Sequence, residues 1–108
     1  MANKKLSIEI LQEIINRING VAHPERIIMF GSAARGEMDQ NSDIDLLVIK
    51  GGEYNQNKLT RDIYINMIGI EQPVDVILAT PEQVEKYKDT NYLIIAPAIR
   101  EGKEVYHA

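Results

Sequence analysis

The chain has 108 residues, 44% of them apolar and 26% charged, which is typical of one globular domain with a single core. The absence of cysteine excludes disulfides, thiolate metal sites and a cysteine nucleophile. Twelve basic and 16 acidic residues give a net charge of −4, which argues against extended nucleic-acid binding. Because no apolar run has the length of a signal peptide or membrane span, we expect a cytoplasmic protein without membrane association.

The spacing of apolar residues predicts an α/β (α+β) fold, in which helices cover a small mixed sheet of three to four strands. The predicted elements, in chain order, are a helix at 8–18, a strand at 26–30, a helical turn and loop at 33–42, a strand at 43–50, a mobile loop at 51–57, a helix at 58–70, a strand at 74–79, a helix from 81, a helix at 91–101 and a short strand at 104–106. We expect residues 1–108 to form one domain.

Capping residues predict where several of these helices begin and end. Ser7 is expected to cap the first helix, and Asn19-Gly20 to end it. Thr80 and Pro81 are typical of a helix start. Pro97 predicts a kink or break in the last helix.

Gly31-Ser32 directly follows a predicted buried strand. Glycine permits a sharp bend with close backbone approach, and the turn after it can direct N–H groups toward an anion such as phosphate. The alternative is an ordinary junction between a strand and a helical turn.

Asp43 and Asp45 are two residues apart at the start of a strand, so both side chains should point to one face. Paired carboxylates offer the hard oxygen ligands that Mg²⁺ prefers. A polar strand start that simply faces solvent is the alternative.

Asp75 lies in the middle of an otherwise apolar predicted strand. A buried charge is costly unless it is paired or binds a metal, so Asp75 is either a third metal ligand or one partner of a salt bridge. Beside Asp43 and Asp45 it would crowd three like charges and raise at least one carboxyl pKa.

Taken together, the run GSAARGEMDQNSDIDLLV followed by PVDVILATPE resembles the DNA polymerase beta-type nucleotidyltransferases. The chain is most similar to their minimal nucleotidyltransferases (MNT), which include the MntA-like antitoxins of HEPN/MNT toxin–antitoxin pairs. The likeness covers nearly the whole chain.

The resemblance implies transfer of a nucleotide, AMP from ATP, to an acceptor hydroxyl. Asp43, Asp45 and Asp75 would be catalytic and would hold two Mg²⁺ ions. Gly31 and Ser32 would bind the nucleotide's phosphates. Arg35 is within a turn of Ser32 and could also reach a phosphate, although pairing with Glu37 or Asp39 is an equal alternative.

The resemblance also implies a HEPN-domain toxin as partner, modified on a tyrosine hydroxyl. Two other functions stay open: a binding module that neutralises its partner by occlusion alone, and an antibiotic-type enzyme that acts on a small molecule. The sequence leaves homo-oligomerisation and the role of the loop at 51–57 open.

Overall fold

The computed structural model of the protein describes residues 7–36, 43–90 and 95–108. Within these ranges the helices and strands follow one another in the predicted order. Their bounds are α1 Ile8–Ala22, β1 Arg26–Phe30, β2 Ile44–Ile49, α2 Gln56–Asn66, β3 Val74–Ala79, α3 Pro81–Tyr87, α4 Ile95–Glu101 and β4 Lys103–His107. The mixed α/β architecture expected from the sequence is therefore confirmed. None of these helices combines the length and apolar character needed to cross a membrane.

The four strands form one sheet in the order β3-β2-β1-β4. β1 pairs antiparallel with β2 and with β4, whereas β2 and β3 are parallel. Parallel neighbours need a crossover connection, and α2 supplies it between β2 and β3. As a result, the end of β1 and the starts of β2 and β3 lie at the same end of the sheet.

Both faces of the sheet are covered, because side chains alternate between the two faces along each strand. On one face, Leu46 and Val48 of β2 pack with buried isoleucines of α1 and α2. On the other face, Leu47 and Ile49 pack with Ala98 of α4 and with residues of α3. The strand β2 is thus buried on both sides, which explains its nearly continuous apolar run.

Two helix ends differ from the sequence prediction. The helix α1 continues through Asn19-Gly20 and ends at His23, whose φ of 47° is left-handed and whose N–H donates to the Asn19 carbonyl. The helix α2 ends at Asn66 rather than at residue 70, and a turn leading to Gly69 (φ 101°) follows it. The Asn19-Gly20 pair misplaces the end of α1. Apolar spacing misplaces the end of α2, because Ile70 packs on the core without being helical.

Other predicted signals are confirmed. Ser7 accepts a hydrogen bond from the Ile10 N–H, and Thr80 forms a reciprocal capping box with Gln83, with Pro81 in the first turn. By contrast, the described part of α4 runs from Ile95 to Glu101 without a break at Pro97. Residues 37–42 of the predicted loop and 91–94 of the predicted last helix lie outside the described residues.

The loop after β2, predicted to be mobile, is held by two hydrogen bonds. The Tyr54 hydroxyl donates to the Lys50 carbonyl over 2.7 Å, and the Gly51 N–H donates to the Glu25 carboxylate over 3.0 Å. This loop follows the far end of β2, about 20 Å along the strand from Asp45. It is therefore at the opposite end of the sheet from the acidic residues.

Candidate active site

The bend after β1 brings backbone against a carboxylate. Gly31 has a φ of 73°, a conformation that glycine adopts without penalty. Because Phe30 is the register partner of Asp45, the next residue along β1 lies beside the start of β2. A Cβ atom on Gly31 would lie 2.5 Å from Oδ2 of Asp45, so only glycine fits here without displacing the carboxylate.

Asp45 and Asp75 are register partners on the parallel strands β2 and β3. Residues in register point to the same face, and this face is the one that carries Leu47, Ile49 and the helices α3 and α4 further along the sheet. Asp45 is half-buried, whereas Asp75 and the preceding Asp43 are exposed. Carboxylates from two strands therefore meet beside the Gly31 bend.

The exposure of Asp75 corrects the sequence argument. Asp75 is the second residue of β3 and is solvent-exposed, so the expectation of a buried charge in mid-strand is wrong. β3 is an edge strand of the sheet. Its register partner is another carboxylate rather than a cation.

The electrostatics of the site show that the three carboxylates are close enough to repel. The pKa of Asp45 is raised above its usual value, first by burial, then by the charge of Asp75 and then by that of Asp43. This matches the sequence expectation that at least one carboxyl pKa would rise. A bound cation would offset such repulsion.

The chemistry of these oxygens fits a magnesium ion. Mg²⁺ retains several waters and takes one or two carboxylates together with substrate phosphates, rather than a cage made only of protein. Across residues 7–36, 43–90 and 95–108 there is no group of three His, Cys, Asp or Glu side chains that could hold a metal ion by itself. Nucleotide oxygens would have to complete the ligand set.

Ser32 and Arg35 lie in the turn that follows Gly31. Ser32 is half-buried and Arg35 is exposed, and the Arg35 N–H donates to the Gly31 carbonyl over 3.3 Å. Residues 31–36 thus form tight turns, in keeping with the predicted helical turn. Glu37 and Asp39, the alternative partners considered for Arg35, lie outside the described residues.

Comparison with known proteins identifies the family of the chain. The sequence pattern of the family described as "Nucleotidyltransferase domain" matches residues 8–99, most of the chain, a range within which Asp43, Asp45 and Asp75 lie. The chain belongs to this nucleotidyltransferase family. The enzyme class implied by the resemblance is therefore confirmed.

Several solved structures share the fold of this chain. A protein of Sulfolobus solfataricus that carries a provisional nucleotidyltransferase name is 20% identical, with a TM-score of 0.62 over 92% of this chain and 78% of that one. A mutant MntA–HpeT toxin–antitoxin structure is 16% identical, with a TM-score of 0.61 over 90% and 73%. A toxin–antitoxin structure with AMP-PNP gives 16% and 0.61 over 95% and 75%. No curated protein matches the chain.

Sequence reasoning did not anticipate one polar contact next to Asp75. The hydroxyl of Tyr64 on α2 accepts a hydrogen bond from the Val76 N–H over 2.7 Å. Val76 directly follows Asp75. No periodicity in α2 could reveal this contact, because it depends on how the crossover helix lies along the edge strand.

Proposed function

We propose that this nucleotidyltransferase transfers AMP from ATP to a hydroxyl of a partner protein, in a Mg²⁺-dependent reaction. The observation that carries the proposal is the register of Asp45 with Asp75 beside the Gly31 bend. Two carboxylates from neighbouring strands and an open backbone turn are what a triphosphate and its cation require.

Each residue of the site would have a distinct role in the transfer reaction. The acceptor hydroxyl oxygen forms a bond to the α-phosphorus while the bond from that phosphorus to the bridging oxygen breaks, and pyrophosphate leaves with the electron pair. Asp75 would help activate the hydroxyl by accepting its proton. Gly31 and Ser32 would hold the β- and γ-phosphates through the turn, and Arg35 could add a contact to a phosphate.

Asp43, Asp45 and Asp75 would hold two Mg²⁺ ions. When bound, such a pair stabilises charge on both the attacking and the leaving oxygen. The half-buried position of Asp45 between the other two carboxylates makes it the residue best placed to contribute to both ions.

The partner is proposed to be a toxin of HEPN type, so that the protein acts as an antitoxin. Support comes from the shared fold with the MntA–HpeT structures and with a toxin–antitoxin structure that contains AMP-PNP. One of these structures is a variant with two aspartates, two positions apart, replaced by glutamate. The same spacing separates Asp43 and Asp45 here.

Label transfer tests the proposal directly. With [α-³²P]ATP, Mg²⁺ and the protein encoded next to it in the genome, we expect label on that neighbour, and none with [γ-³²P]ATP. Asp43→Asn and Asp75→Asn should abolish labelling. Asp62→Asn is the matched control, because Asp62 is an acid on α2 that pairs with Lys58 and lies outside the site.

The outcomes separate the competing functions. Binding of the neighbour without label under any divalent metal would favour neutralisation by occlusion. Pyrophosphate release on adding an aminoglycoside, without any protein acceptor, would favour a small-molecule enzyme. Labelling by Asp75→Asn at the wild-type rate would exclude the proposed role of Asp75.

A further inference from the structure

The edge strand β3 is held on its outer side by one side chain near the site. The β2–β3 ladder is bracketed by bonds from the Ile44 N–H to the Pro73 carbonyl and from the Lys50 N–H to the Ala79 carbonyl. In a parallel ladder of this register, odd-numbered residues of β3 direct their polar backbone groups to β2, and even-numbered ones direct theirs outward. The outward N–H of Val76 meets the Tyr64 hydroxyl at 2.7 Å.

This contact acts on the peptide that carries Asp75. The backbone groups of Asp75 are paired with β2, and the other end of the same peptide unit, the Val76 N–H, is fixed by Tyr64. The peptide is thus held from both sides of the strand. The Asp75 side chain itself is exposed, so what this backbone sets is the position of its Cβ atom relative to Asp45.

We propose that Tyr64 is a positioning residue of the transfer reaction, which sets the spacing of Asp75 from Asp45 by fixing the Asp75–Val76 peptide. This inference rests on the proposed function, because it assigns Asp75 a metal ligand's role. Without the tyrosine hydroxyl the Val76 N–H would bind water instead. The start of β3 would then be held less firmly, and the spacing between Asp75 and Asp45 would vary more.

The chain offers a closely matched control. Tyr54 also makes a 2.7 Å hydrogen bond between its hydroxyl and a backbone group, the Lys50 carbonyl, but at the opposite end of β2. Tyr64→Phe and Tyr54→Phe therefore each remove one tyrosine-to-backbone bond of the same length while keeping the ring. Only the first should alter the metal dependence of the site.

The test measures transfer rate against Mg²⁺ concentration, Mn²⁺ binding by electron paramagnetic resonance, and amide exchange at Val76 by NMR. For Tyr64→Phe we expect faster Val76 exchange and a half-saturating metal concentration raised by up to about tenfold, as loss of one net hydrogen bond allows. The rate at saturating Mg²⁺ should change much less. Tyr54→Phe should match the wild type in all three.

Each remaining outcome decides against the proposal or against its premise. Faster Val76 exchange with unchanged metal dependence would make Tyr64 purely structural, and an equal shift in Tyr54→Phe would make the effect nonspecific. If the wild type transfers nothing, the proposed function is wrong. Mn²⁺ binding and amide exchange would still test the role of Tyr64 in that case.

A measurement on the wild type covers the case in which Tyr64→Phe does not fold. Mg²⁺ with α,β-methylene ATP, which cannot release pyrophosphate, should slow exchange of the Val76 amide. Unchanged exchange under saturation would show that Val76 and the bound metal are not coupled, and would overturn the inference.

Discussion

Asp45 and Asp75 occupy the same register position on two parallel strands, each as the second residue of its strand. Opposed like charges destabilise a pair of strands, and here burial of Asp45 and the nearby Asp43 add to the repulsion. The chain therefore retains an unfavourable arrangement at the point where the catalytic chemistry is proposed. Stability and activity should respond in opposite directions when one of these charges is removed.

Asp45→Asn should stabilise the protein without metal at neutral pH and abolish transfer. The raised pKa of Asp45 means that the folded state holds its proton more tightly than the unfolded state, so stability falls as pH rises through the folded pKa. Neutralising the side chain removes that loss, so the free energy of unfolding should rise by about 0.5 kcal/mol, the scale of a cross-strand pair. Thermal unfolding monitored by circular dichroism would measure a rise of about 3 °C.

The opposite change is expected of the control Asp62→Asn, which loses an exposed ion pair with Lys58 and should lower stability by less than about 0.5 kcal/mol. Addition of Mg²⁺ with nucleotide should stabilise the wild type but not Asp45→Asn. A decrease in melting temperature for Asp45→Asn would show that its carboxylate is stabilised in the folded chain, contrary to the geometry described.

The pH dependence of transfer should depend on Mg²⁺. Asp45 must lose its proton to bind a cation, and burial with two neighbouring carboxylates raises the pKa at which it does so. The acid limb of the rate profile should therefore lie above the ordinary pKa of an aspartate and move to lower pH as Mg²⁺ increases, because the metal competes with the proton. Initial rates measured across pH at two Mg²⁺ concentrations check this, and a limb that does not move would exclude Asp45 as the titrating ligand.

Gly102, between α4 and β4, should contribute to stability rather than to chemistry. A Cβ atom there would collide with the Ala98 carbonyl, and would lie 2.5 Å from Ile28 Cγ2 and 2.9 Å from the Met29 carbonyl. Two of these are backbone atoms that cannot move aside. Gly102→Ala should cost about 1–3 kcal/mol in the free energy of unfolding, measured by urea denaturation.

Gly20→Ala is the control of opposite sign, since Gly20 is inside α1 and its nearest neighbour to a Cβ atom is Asn66 Nδ2 at 3.7 Å. Alanine there should stabilise the protein by about 0.5–1 kcal/mol. Equal effects of the two substitutions would mean that the crowding at Gly102 is relieved by movement of α4.

The sequence was most informative where a local rule decides the structure. Capping residues such as Ser7 and Thr80 act within one turn, and the buried strand β2 has an apolar pattern that few other structures satisfy. The spacing of Asp43 and Asp45 likewise indicates a shared face without any tertiary information. These features were predictable because their causes lie within a few residues.

Features that depend on tertiary packing could not be predicted from the chain alone. The apolar neighbours of Asp75 predict that it is buried, but its side chain is exposed. β3 is an edge strand, and only the strand order reveals this. The contact of Tyr64 with Val76 joins a helix and a strand through crossover geometry. The proximity of Gly31 to the Asp45 carboxylate follows from the β1–β2 register, which lies across a long connection.

Gly31 and Gly36 allow the steric demand of the site to be separated from backbone strain. Their φ values are nearly equal, 73° and 72°, so alanine at either position meets a similar conformational penalty of about 1 kcal/mol. Among the residues that the structure describes, a Cβ atom at Gly36 has no neighbour within 4 Å, whereas one at Gly31 would lie 2.5 Å from Asp45 Oδ2. The two substitutions therefore differ in their effect on one carboxylate.

Gly31→Ala should lower the rate of transfer by more than tenfold, because the new methyl group would push the Asp45 carboxylate away from its present place beside Asp75. A displacement of about 1 Å is enough for such a loss. Gly36→Ala should lose about as much stability from backbone strain as Gly31→Ala does, but its rate of transfer should be near that of the wild type. Melting temperatures and initial rates for both variants provide the comparison. If both lose activity equally, strain in the turn rather than contact with Asp45 accounts for the glycine.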